Sequence, residues 1–156
     1  MGAPQFQVVV QGSRISPEDL VRAMNASESE LPKLTQEQKK IARGFKMSQE
    51  EYAREELARL YGHERMLERG RRLGETASQI LEVLAPDYRL AAVTSQMTKV
   101  RWVLTVRTPA GDANVFVPLE LADDVVDWAP REKVEELRSR LFYGLGLEEA
   151  APKPRR

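Results

Sequence analysis

Cysteine is missing from all 156 residues. That excludes disulfides, thiolate zinc sites, iron–sulfur clusters and a cysteine nucleophile, and it suits a reducing cytosol. Histidine is nearly missing: His63 stands alone on a charged stretch. A usual zinc site needs more nitrogen or sulfur ligands than one imidazole, and no serine lies in a GxSxG-like context to pair with it. His63 is therefore expected to be exposed, with no catalytic residue assigned. No phosphate-cradling glycine loop occurs, so no nucleotide or other cofactor is expected.

No run approaches the roughly 18 unbroken apolar residues of a membrane helix. The opening "MGAPQFQVVVQG" turns polar too soon for a secretory leader, and Phe6 stands where a myristoylation signal needs Ser or Thr. These features point to a soluble, cytoplasmic protein without membrane contact. A charge of one sign is also lacking. Basic and acidic residues number 24 each, so nothing pulls the whole chain toward nucleic acid or membrane. The charge is uneven along the chain, slightly basic over 33–72, acidic over 120–149, and basic again in the tail "APKPRR", for which disorder is expected.

What is present suits a globular protein with long charged helices: 42% apolar and 31% charged residues. Four segments are expected: a strand and helix over 1–30, a helical corner with a long helix over 31–85, a β-meander with a last helix over 86–149, and a tail over 150–156. "FQVVVQ" has the β-branched run of a strand. "SPEDLVRAM" carries helix-start chemistry, with Ser16 as cap, Pro17 in the first turn, and Glu18 and Asp19 beside it. "NASESELPK" is the best internal boundary, small, polar and Pro-containing. "YRLAAV", "VRWVLTVRT" and "ANVFVPLEL" predict three strands, with Trp102, Leu104 and Val106 on the more buried face and Pro118 near an edge or strand end. "LADDVVDWAP" predicts a connector of one helical turn. A final helix from Pro130 turns Val134, Leu137, Leu141 and Phe142 inward and stops at Gly144 and Gly146. The fold class is α+β, a small mostly antiparallel meander covered by helices, with a protruding helical hairpin and long helix.

Three constellations bear on function. In "QKKIARGFKMSQEEYARE" two capping boxes, Thr35/Gln38 and Ser48/Glu51, begin helices so close together that a tight turn must separate them. Ala42, Met47 and Tyr52 fall at helix-turn-helix offsets, with Ile41 and Phe45 expected to complete the inner face. Lys39, Lys40, Arg43 and Lys46 could then touch phosphates, and Gln49 is the one plausible base reader. Against this, Lys46 occupies a turn position that favours glycine, and Glu50 and Glu51 suit a helix dipole better than DNA. The corner therefore leans toward scaffold.

The second constellation is a heptad stripe on the long helix: Met66, Leu67, Gly70, Leu73, Gly74, Ala77, Ile80 and Leu81. It either packs on the chain's own sheet or joins another chain, Gly70 and Gly74 permitting close approach. Opposite it, Glu64, Arg65, Glu68, Arg69 and Arg72 suggest a solvated face. The third is Glu120, Asp123, Asp124 and Asp127, whose oxygens could hold Mg²⁺ or Ca²⁺; their spacing matches no EF-hand, and solvating a connector or capping a turn explains them more simply, so no metal is assigned. The resulting expectation is a non-catalytic interaction protein that joins itself or a partner subunit through the long helix, with a helix-turn-helix DNA-binding regulator as the alternative.

Overall fold

The computed structural model describes residues 5–12 and 15–147, so the expected disordered tail lies outside the described residues. The fold is α+β. The chain forms two compact units, one of 13–66 and one that joins 1–12 to 67–156. The expected boundary at Asn25–Lys33 falls within the first.

The helical unit contains α1 (Pro17–Asn25), α2 (Gln36–Gly44) and the first part of α3 (Gln49–Leu84). Each start is fixed by reciprocal side-chain capping. The pairs are Ser16 with Asp19, Thr35 with Gln38, and Ser48 with Glu51. Each pair satisfies backbone N–H groups that a helix start leaves without partners. Between α1 and α2 the expected loop tightens into a 3₁₀ turn, Glu28–Glu30. Ala23, Leu57 and Ala58 form the buried core, with Ala26, Leu31 and Tyr61 packed on it. Ala23 of α1 packs against Leu57 and Ala58 of α3, and Arg54 ties down the far end of α1. Its Nη1 donates to the carbonyls of Ala23, Met24 and Ala26 at 2.8, 3.1 and 2.9 Å. Those are carbonyls a helix end leaves free.

The sheet unit holds four strands, β1 (Gln7–Gln11), β2 (Arg89–Gln96), β3 (Arg101–Thr108) and β4 (Gly111–Pro118), in the order β1-β2-β3-β4. The last three form the antiparallel meander. The N-terminal strand joins it in parallel with β2, Val8 opposite Val93. Trp102, Leu104 and Val106 are buried as expected, and so is Val103 on the other face, flanked by Thr94 and Phe116 of the neighbouring strands. Pro118 ends the edge strand β4, where its missing N–H breaks no ladder.

"LEL" leaves the strand and opens α4 (Leu119–Asp127), so the expected one-turn connector is a true helix. Its apolar residues explain why: Leu121, Ala122 and Val125 recur at helical spacing and are all buried. The last helix, α5 (Arg131–Gly144), starts after Pro130 and buries Leu137 and Leu141.

Candidate interaction surface

The heptad stripe is occupied within the chain. Met66, Leu73, Ala77 and Leu81 are at most 2% exposed, and Leu67 and Ile80 are half-buried. Gly70 faces Val8 and Trp102, while Gly74 faces the Phe6 ring. The space these glycines clear is taken by side chains of the same chain, not by another backbone. This corrects the expectation of a free association face. A sheet with an apolar side needs a cover, and α3 supplies it.

The supposedly solvated face opposite is also partly engaged. Arg65 donates to Asp19 from Nε and Nη2 at 3.3 and 3.2 Å. Burial pushes the Asp19 carboxyl up. The Ser16 N–H, the Arg65 guanidinium and the Ser16 hydroxyl outweigh that and hold it below the usual carboxylate range. Arg69 grips Asp127 through both oxygens, at 2.8 and 3.2 Å, and Asp123 at 2.7 Å. Arg69 thereby holds the Asp127 carboxyl below its ordinary value. Two of the three aspartates weighed as metal ligands thus accept from a guanidinium, and Asp124 stands 3.9 Å from Lys133. Among the described residues no three His, Cys, Asp or Glu side chains gather as a metal cluster. His63 is exposed.

The helical corner departs from its expected plan at two apolar positions. Ala42 is fully buried, but Ile41 is 41% and Phe45 72% exposed, so neither completes an inner face. Lys46 adopts φ 57°, a left-handed conformation that makes the turn without glycine. Lys40, Arg43, Lys46 and Gln49 are exposed and Lys39 is half-buried. The glutamates are engaged locally. Glu51 accepts from the Ser48 N–H at 3.3 Å, and Glu50 pairs with Arg54 at 2.9 Å.

Other apolar side chains reach solvent where no pattern signalled them. On α1, Leu20 is 45%, Val21 57% and Met24 69% exposed. The sheet's outer face is mostly polar. Thr105 donates to Asn114 at 3.0 Å, and Arg101 lies 3.9 Å over the Phe116 ring while donating to Gln96. An open groove of about 390 Å³ lies beside α2, with Leu31, Leu34 and Ala53 among its lining residues. The sequence offered no signal for it, because the groove joins three separate stretches. Among the described residues no helix is long and apolar enough to cross a membrane. Comparison with known families, curated proteins and solved structures finds no match.

Proposed function

We propose that the chain is a non-catalytic interaction protein that joins a second copy or a partner subunit through the exposed side of its helical unit. The α3 stripe is spent on the core, so association falls to other residues. One observation carries the reading: α1 turns Leu20, Val21 and Met24 outward on neighbouring positions of a short, doubly anchored helix. Burying one such side chain stabilises by roughly 1.5–3 kcal/mol, so a few shared across an interface suffice for association. Sedimentation velocity over a concentration series tests it. The wild type is expected to associate, and Val21→Glu/Met24→Glu to stay folded and monomeric. Unchanged association in the variant would remove this surface from consideration.

The alternative, a DNA-binding corner, is supported by a different observation. Lys39, Lys40, Arg43 and Lys46 form no ion pair among the described residues. Glu50 and Glu51 at the head of α3 weigh against it. Its test is binding to a mixed-sequence duplex at low and moderate salt. Affinity that falls steeply with salt and vanishes in Lys39→Glu/Arg43→Glu would favour DNA.

A further inference from the structure

We propose that the free edge of β1 pairs antiparallel with the same edge of a second copy, continuing the sheet from one molecule into the next. This goes beyond association through α1, because β1 belongs to the other unit. β1 ends the sheet, with β2 as its strand neighbour. The Gln11 N–H donates to Ser95 Oγ of β2 at 2.9 Å. Successive residues of a strand turn their backbone groups to opposite sides, so the N–H and C=O of Val8 and Val10 face the open edge. Among the described residues no hydrogen bond fills them.

Edges are ordinarily defended by a charge, a proline or a bulge. Residues 5–12, "QFQVVVQG", carry no charge and no proline, and the pairing of β1 with β2 runs without a register shift. The opposite edge is defended: β4 carries Asp112 and ends in Pro118.

The sequence selects the occupant, since "QVVVQ" reads the same in both directions. Turned antiparallel about Val9, it sets valine against valine and glutamine against glutamine at every position. Val8 and Val10 of the two copies then exchange backbone hydrogen bonds. Val8 faces Gly70 of α3, so Val9 lies on the outer side, 38% exposed, and meets its own copy on the two-fold axis. A one-residue slip would set the α3-covered side of one strand against the outer side of the other. The strand is 5 residues long, so the contact is weak and exchanging, too small to hold a dimer through sedimentation.

Disulfide capture reads such a contact, and the chain has no cysteine to interfere. Residues opposed at a non-hydrogen-bonded position of an antiparallel pair lie about 4.5 Å apart between Cα atoms, within disulfide reach. Under mild oxidation Val9→Cys is expected to form a covalent dimer at least about tenfold faster than Asn114→Cys, an exposed position on β4. Gln7→Cys alone is expected to link no faster than Asn114→Cys, because its counterpart across the edge is Gln11. A mixture of Gln7→Cys and Gln11→Cys is expected to link rapidly. Circular dichroism checks that each variant is folded. A Val9→Cys rate no faster than the control, or fast linking of Gln7→Cys to itself, would overturn the proposal. Adding Val21→Glu/Met24→Glu is expected to leave the Val9→Cys rate unchanged, and a fall to the control rate would overturn an edge contact of its own. If Val9→Cys fails to link while the wild type associates in sedimentation, the edge falls and the α1 reading stands.

Discussion

Gly70 and Gly44 show that one chemical change can have opposite signs in one molecule. A Cβ on Gly70 would overlap Val8 and come within 3.0 Å of the Trp102 ring. Overpacking of that kind costs about 1–3 kcal/mol, more than the roughly 1 kcal/mol alanine recovers in helix propensity. A Cβ on Gly44, the last residue of α2, meets nothing within 4 Å. Gly70→Ala is therefore expected to lower the urea midpoint, and Gly44→Ala to leave it unchanged or raise it by about 0.4–1 kcal/mol equivalent. Equal effects would show that the glycine–sheet contact does not limit stability. Both glycines look alike in sequence. The heptad spacing marked Gly70 as a place of close approach, but only the folded chain shows that Val8, sixty-two positions earlier, is what approaches.

Asp19 belongs to the scale of an element, because it anchors the start of α1 to α3. Its carboxylate accepts from the Ser16 N–H at 2.9 Å and from Arg65. The folded-state pKa lies below the ordinary value. The linked stability is thus fully present above the unfolded carboxylate pKa of about 4, and is lost as pH falls through the lowered folded value. Asp19→Asn is expected to cost about 1–2 kcal/mol at neutral pH, with the gap from wild type closing in acid. Denaturant titrations from pH 7 to pH 3, followed by circular dichroism, check this; a gap independent of pH would assign the loss to packing.

At this scale the sequence was most legible at helix starts, since capping chemistry is local. All three boxes act within four residues, and two were read in full. In the first, Ser16 is legible as the cap, but the bond its own N–H donates to the Asp19 carboxylate is not. The long helix expected within 31–85 is α3, Gln49–Leu84. Partners distant in sequence were not legible. Nothing near Arg69 indicates that Asp123 and Asp127 will meet it, and nothing local shows that Phe45 faces solvent.

For the whole molecule, the two tryptophans make convenient probes. Trp102 is 1% exposed in the core and Trp128 is 80% exposed, and residues 13–66 contain none. Trp128→Phe is expected to shift the emission to shorter wavelength and leave one buried reporter for the sheet unit. Circular dichroism then weighs all the helices, while fluorescence follows the sheet alone. α3 supplies side chains to the cores of both units without a break. The two signals are therefore expected to give one coincident transition in urea, and separate midpoints would mean that one unit unfolds while the other persists.

The parallel pairing of β1 with β2 sets an order on synthesis. Gln11 bonds to Ser95, 84 residues further along. A ribosome adding about 5–20 residues per second needs several seconds to deliver that partner. Once "QVVVQ" emerges it waits with its ladder unfilled, a short uncharged strand of the kind that pairs readily with another chain. Of the four strands, the first one made waits longest for its neighbour in the sheet.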